Sequence, residues 1–447
     1  MSWASPHRLF LIVSLAIGLI YTFMTPPFRA PDETAHYQRV LAYMEGSVWG
    51  PYDTRTRYVE FLATGNQLRP YNSKQEQGYS WEVLQRIWAS GADTDPARSH
   101  RLSSDGPTVD LYSPAAYLPA IITGWVIDQV YPSPVILFYG MRISLLIASS
   151  LLIAWAIARL PYARWPVMAL MLFPMAVWGR AMITADSLTT AFALAFIALI
   201  CAQPWRLKAL AVAGMAVTLS KIIFGTLLGL LFLPVNWRKA TFGIRVAFCG
   251  LFILCAGVGI AWNIAAKDTL QAATERGVLA SNPSQQVAQM QTDPTAFLTV
   301  LSDTLSSTEF LLNGIVTGIT GYLGELDAPL PFLVSAMVLL QLAIILILAQ
   351  PDETRPTRWT RLWCAAIFFG TLLLTLVALY VQWNPVGNAY IHGFQGRYLY
   401  PVLPLLLVAL LPPKQWPPRK CVPVICLSTL WPHAVAIATL WQSNYSG

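Results

Sequence analysis

The sequence predicts an all-α, polytopic integral membrane protein with about 11 transmembrane helices. Three observations predict it. The 447 residues are 55% hydrophobic and only 11% charged, with a mean hydropathy of +0.52, against about 25% charged in soluble domains. Apolar stretches near the roughly 20 residues that span a bilayer recur along the chain. Basic residues gather in short loops at alternate turns. A soluble fold this apolar would have to bury more than its surface allows, whereas a bilayer solvates apolar faces directly.

The elements follow in order. The first span covers 9–24, within 1–25, and runs straight into Thr25-Pro26-Pro27-Phe28 without a small-residue cleavage site. It therefore reads as an anchor and not as a cleaved signal peptide. A long polar segment, 26–133, forms a first outer loop. Within it, 114–130 is apolar but carries Pro119, Gly124 and Asp128. A crossing there would reverse the side of every later loop, so an interfacial or re-entrant helix is expected. Spans at 134–158, 165–183, 187–202 and 242–265 make up a bundle over 134–265. The stretch 207–234 inside it is too long for one span and is interrupted by Lys221. A hairpin of two short helices is expected there, with Lys221 near its turn. A second outer loop, 266–329, precedes the C-terminal helices of 330–447, at 330–349, 363–381, 398–411 and 422–441, with an outer loop at 382–397. No repeat of 20–50 residues stands out.

Charge sets the expected orientation. Arg8, Arg159 and Arg164, Arg206 and Lys208, Arg238, Lys239 and Arg245, Arg355, Arg358 and Arg361, and Lys414, Arg419 and Lys420 all fall on one side. That side is cytoplasmic by the positive-inside rule, and so is the amino terminus. Of the 22 acidic residues, Asp352 and Glu353 fall on the cytoplasmic side and Asp186 at a span end, the rest in the two long outer segments. The net charge of +7 does not indicate nucleic acid, because the basic residues are dispersed between apolar segments. Cys201, Cys249, Cys255, Cys364, Cys421 and Cys426 lie in apolar segments or their basic ends. They show neither disulfide nor zinc spacing.

Directly after the first span stands Pro31-Asp32-Glu33-Thr34-Ala35-His36. Pro31 suits a first helical turn, which places Asp32 and Glu33 in that turn and His36 on the same face as Asp32. Two acids there complement the helix dipole by about 0.3–1 kcal/mol each. Alternatively, one is a general base at the outer surface. Four cations, Arg142, Arg180, Lys221 and Arg397, lie in or at the ends of apolar stretches, with only Asp186 nearby to offset them. A central membrane charge costs about 2.5–3.5 kcal/mol. Each of the four either marks an interface by snorkelling or shares a bound anion, for which a lipid phosphate is the obvious source. Arg397 sits in Gly393-Phe394-Gln395-Gly396-Arg397-Tyr398, after a short polar and aromatic segment that suits a binding loop. The glycine beside it leaves room for a head group.

These motifs occur in an order that resembles a bacterial family, domain of unknown function 2142. They are Pro31-Asp32-Glu33 with His36, Tyr112-Ser113-Pro114 with Tyr117-Leu118-Pro119, Ala185-Asp186-Ser187-Leu188, Lys221, Gly324-Glu325-Leu326-Asp327, and Gln395-Gly396-Arg397-Tyr398 with Pro401. That family in turn is similar to the GT-C glycosyltransferases, which have a first span followed by a long outer loop opening on acids. The resemblance implies a GT-C-like fold in the bacterial cytoplasmic (inner) membrane. It implies a polyprenyl-phosphate sugar donor, an envelope glycan, lipid or protein acceptor, and inversion at the sugar. The implied roles are catalysis by Asp32 or Glu33, supported by His36 and Asp186. Donor phosphate would be bound by Arg397, Lys221 and Arg180, with a substrate loop of Tyr112, Gln395 and Tyr398. The Asp32-Glu33 pair departs from an Asp-X-Asp metal motif, so a divalent cation, Mg or Mn, is left open. Trp49, Tyr52, Tyr58, Trp81 and Trp383 are aromatic candidates for sugar stacking or interface anchoring. Two alternatives share the cations: a flippase or transporter of lipid-linked sugars, which needs no acids, and a glycan polymerase or ligase using a lipid-linked oligosaccharide.

Overall fold

The computed structural model describes residues 5–49, 52–68, 80–92, 95, 97–102, 109–275, 281–348, 355–412 and 428–445. The basic run at 414–420, Asp352, Glu353, Cys421, Cys426 and the start of 422–441 lie outside the described residues. Cys201, Cys249, Cys255 and Cys364 are free thiols.

Among the described residues four helices are long and apolar enough to cross a membrane: Pro6–Met24, Pro134–Arg159, Phe242–Lys267 and Arg358–Gln382. Asp186–Cys201, Leu207–Ser220, Ile222–Phe232, Glu309–Thr320 and Phe332–Leu348 are shorter apolar helices. Against the expected 11 or so spans, two of them the short helices of a hairpin, several apolar stretches are broken, and the breaks have local causes. The stretch 165–183 divides into Arg164–Met171 and Pro174–Arg180, because Pro174 lacks an N–H and its ring clashes with the preceding turn. The stretch 398–411 opens as a 3-10 turn, Gly396–Leu399, before Leu403–Leu410. At Lys221 the backbone is extended (φ −151°, ψ 113°), which separates Leu207–Ser220 from the 3-10 helix Ile222–Phe232. Gly214 packs against Leu228, equally far on the other side of Lys221, so the two helices fold back on each other as expected. The apolar segment of the first outer loop forms Pro114–Tyr117 and then Leu118–Val130. At 1.5 Å per residue, the 13 residues of Leu118–Val130 extend roughly 20 Å, short of a roughly 30 Å hydrocarbon core. That length suits an interfacial or re-entrant element.

An aromatic cluster fixes the first outer segment to the bundle. Phe28 packs edge-on against Phe138, with ring centroids 4.9 Å apart, and against Tyr37 and Phe61 at 5.5 and 5.4 Å. Phe28 fits because Gly65 has no Cβ, which would stand 2.3 Å from its ring. Two small antiparallel sheets decorate the outer segments, Tyr52–Arg55 with Ser99–Leu102 and Tyr322–Leu323 with Ala328–Pro329. The second holds the Glu325–Asp327 turn. There the buried Arg29 guanidinium binds Asp327, lies 3.6 Å from Glu325 and donates to Asn444 Oδ1 at 2.9 Å. This clasp joins the end of the first helix to the second outer segment and to the final helix, Trp431–Tyr445.

Candidate active site

The second helix runs from Glu33 to Met44, with Asp32 as its N-cap residue. Only Glu33 is in the first turn, contrary to the placement of both acids there. Asp32 adopts a left-handed backbone (φ 59°) and its side chain makes no capping hydrogen bond. A non-glycine residue held left-handed costs about 1–3 kcal/mol and persists where the surroundings over-determine it, often at functional sites. The consequence is a carboxylate turned away from its own helix and 61% exposed.

Glu33 is fully buried and committed to Arg142. Its two oxygens receive Nε at 2.8 Å and Nη2 at 2.6 Å, and Oε1 also accepts from the Ile183 amide at 3.0 Å. The guanidinium donates its remaining protons to the carbonyls of Thr22, Thr25 and Pro26. These belong to the end of the first helix, whose last carbonyls have no intrahelical partner. Glu33 is thereby corrected from candidate base to internal counter-ion, because its carboxylate is fully buried and accepts three hydrogen bonds from Arg142 and the Ile183 amide. Arg142 is likewise corrected from an interface marker. Its counter-ion is Glu33, not Asp186.

Arg180 is also corrected as a phosphate ligand. It is buried in the bundle, donating to Ser14 Oγ at 3.0 Å and to the Met171 carbonyl at 2.8 Å over the Phe10 ring. None of these partners belongs to the group around Arg397.

The other candidates converge from five separate segments. Asp186, at the start of Asp186–Cys201, binds the Lys221 ammonium directly, and Arg397 Nε lies 3.7 Å from its second oxygen. Arg397 Nη2 reaches to 4.0 Å from Asp32. Lys221 sits between the Tyr112 and Tyr398 rings, 5.0 and 5.3 Å from their centroids. His36 stacks on Tyr112, with centroids 6.0 Å apart and planes 14° apart, and its Nδ1 is hydrogen-bonded to the Tyr117 hydroxyl at 2.6 Å. Burial drives the His36 imidazole down to about 4, against the upward pull of Asp32 and Asp186, so the ring is neutral at pH 7. Tyr43 donates to the Tyr112 carbonyl at 2.6 Å, which fixes that part of the wall. Asp186 thus gathers two cations, and Asp32 stands exposed at the rim, at the edge of reach of Arg397.

The loop carrying Arg397 is seated on an uncommon element. Glu309–Thr317 is a π-helix, a form that occurs often at functional sites. Gly396 packs on it so closely that a Cβ there would lie 2.5 Å from the Gly314 carbonyl oxygen. The bare Cα therefore admits a helix backbone, not the lipid head group expected from sequence. Gly393, at φ +85°, turns the chain against Trp383. A cavity of about 420 Å³ lies between this loop and the π-helix, with Arg397 and Gln395 on its wall. The Gly314–Gly318 spacing in an apolar stretch is a close-packing signal that the sequence carried. The Arg142–Glu33 pair had no comparable local signal. Of the aromatic candidates, Tyr52 and Tyr58 are buried, and Tyr58 donates to Asp128. Trp49 packs at a tilt against Trp262, and Trp81 packs edge-on against Trp88.

The residues present do not suit a divalent cation. Asp186 is held between two positive groups, and among the described residues no three of His, Cys, Asp and Glu converge as ligands.

A bundle of apolar helices, broken where charged side chains meet at its edge, defines a multi-pass membrane protein with an ion-paired polar site. The chain belongs to the family of predicted membrane proteins called domain of unknown function 2142 (DUF2142), whose model matches residues 15–406. No curated protein and no solved structure matches the chain.

Proposed function

We propose that the protein is a membrane glycosyltransferase. It moves a sugar from a polyprenyl-phosphate donor to an acceptor hydroxyl on the outer face of the bacterial cytoplasmic membrane, with inversion. The observation that carries this reading is the pairing of an uncapped, exposed Asp32 carboxylate with Arg397, whose other side and whose neighbour Lys221 are held by Asp186. In the reaction the anomeric carbon–oxygen bond to phosphate breaks, and its electron pair leaves on the phosphate oxygen. The acceptor oxygen bonds to the anomeric carbon from the opposite face, and its proton passes to Asp32. Charge grows on the phosphate as the sugar departs. Arg397 and Lys221, already oriented by Asp186, stabilise that charge without reorganising. The planar Arg397 fork suits two phosphate oxygens, and Lys221 acts as a point charge. Neutral His36 lines the same wall and supports the rim through Tyr112 and Tyr117.

The test is transfer from purified polyprenyl-phosphate sugars. Asp32→Asn keeps the shape but cannot take the proton, and should lower transfer by about 10²–10⁴-fold. Arg397→Lys keeps the charge and loses the fork, and should also be impaired, as should Lys221→Ala. Near-normal transfer in Asp32→Asn would sink the base assignment. Silence of both cation variants would sink the phosphate site. A flippase would keep its lipid flux in Asp32→Asn.

A further inference from the structure

We infer that the cavity between the π-helix and the Arg397 loop is the subsite for the glycosyl group of the donor; this rests on the transferase reading above. Several observations meet there. The volume, about 420 Å³, lies in the range of small-molecule sites, about 300–1,000 Å³. Its wall combines polar and aromatic groups with aliphatic ones, and a sugar ring has hydroxyls on its edge and C–H bonds on its face. Asn313, Glu309 and His392 are exposed and offer amide, carboxylate and imidazole at the mouth. Tyr390 and Phe394 supply ring faces. Phe394 is held by Phe310 at 4.9 Å, so its orientation is set before any ligand arrives.

Gln395 carries the argument further. Its Oε1 is shielded from solvent and has no hydrogen-bond partner, and Gln395 lines the cavity. A buried acceptor without a donor is unfavourable. A sugar hydroxyl is a donor for it when the Gln395 side chain turns its amide into the cavity that it lines. The neighbouring Arg397 belongs both to the cavity wall and to the Asp32–Asp186 cluster. In a glycosyl phosphate the sugar is one bond from the phosphate. A phosphate on Arg397 therefore places its sugar in the space that adjoins Arg397, and this cavity adjoins it. The Gly314, Gly318 and Gly396 contact fixes the distance between the two walls.

The experiment compares two ligands on the purified full-length protein in lipid nanodiscs: a bare polyprenyl phosphate, and the same lipid carrying a hexose or a pentose. Binding is measured for wild type, Asn313→Ala, Gln395→Ala, the double variant and Arg397→Ala, each with its melting temperature. Asn313 is exposed, so its removal tests the site without disturbing a packed contact. The double variant should bind the glycosylated lipid about tenfold more weakly, as two uncharged hydrogen bonds are worth, and bind the bare phosphate as wild type does. Arg397→Ala should weaken both. Wild-type affinity for the glycosylated lipid in the double variant, with Arg397→Ala still weakening both, would overturn the cavity assignment and leave the transferase reading in place. If wild type binds neither lipid, the transferase reading itself falls.

Discussion

Asp32 and Glu33 are adjacent in sequence and opposite in physics. One is an exposed carboxylate on a left-handed residue beside Arg397; the other is an internal counter-ion to a fully buried arginine. Their amide variants should therefore separate. Glu33→Gln removes the charge that balances Arg142, and breaking one partner of a buried pair costs about 3–5 kcal/mol. It should lower the melting temperature sharply and reduce the yield of folded protein, while Asp32→Asn melts like wild type. Combining Glu33→Gln with Arg142→Met should recover part of the loss, since the uncompensated charge is gone. An unchanged melting temperature in Glu33→Gln would show that Arg142 does not depend on it. The pair also bears on activity indirectly. Arg142 holds the carbonyls that end the first helix, and Glu33 receives the Ile183 amide just before Asp186. The fold around the acid rim is thus tied to the fold around the cation pair.

At the scale of elements, breaks in the helices make the site. Lys221 occupies the turn of a helical hairpin, Asp186 the start of a short helix, and Arg397 a 3-10 turn between an outer loop and a helix. Unbroken spans would bury these charges in hydrocarbon. The sequence carried these interruptions as charges and prolines within apolar stretches, and the hairpin at Lys221 was legible from length alone. The seat of the Arg397 loop was not. It depends on three glycines from two distant segments meeting backbone to backbone. Gly396→Ala should displace that loop from the π-helix, because a Cβ 2.5 Å from the Gly314 oxygen and 2.6 Å from the Gly318 carbonyl carbon has nowhere to go. Transfer should fall at least about tenfold although position 396 supplies no polar group to substrate, in keeping with the cost of misplacing a site by about 1 Å. Wild-type transfer by Gly396→Ala would mean that the loop is positioned by something else.

For the whole molecule, the alternation of basic loops predicts that both outer segments, and so the Asp32 rim, face away from the cytoplasm. In a background without native cysteines, single cysteines at Ser99 and Ala389, both on exposed stretches, should react with an impermeant thiol reagent on intact spheroplasts. A cysteine at Arg358, at the opposite end of Arg358–Gln382 from the outer loop, should stay protected until the membrane is opened. The reverse pattern would invert the molecule and remove the chemistry from the outer face.

Hydropathy by itself determined the membrane class, the positions of most apolar helices and the residue types available for chemistry, because each is a property of 20 or so neighbouring residues. It also brought Asp186, Lys221, Arg397 and Asp32 to notice, since a charge beside hydrocarbon is conspicuous wherever it stands. Tertiary structure alone decided what each charge does. Glu33 meets Arg142 across 109 residues of chain, and Lys221 meets Asp186 across 35. Arg180, conspicuous for the same reason, is buried inside the bundle, where it donates to a hydroxyl and a carbonyl. The free energy of an ionised group depends on which partners lie within a few ångströms, and spacing along the chain does not encode that distance.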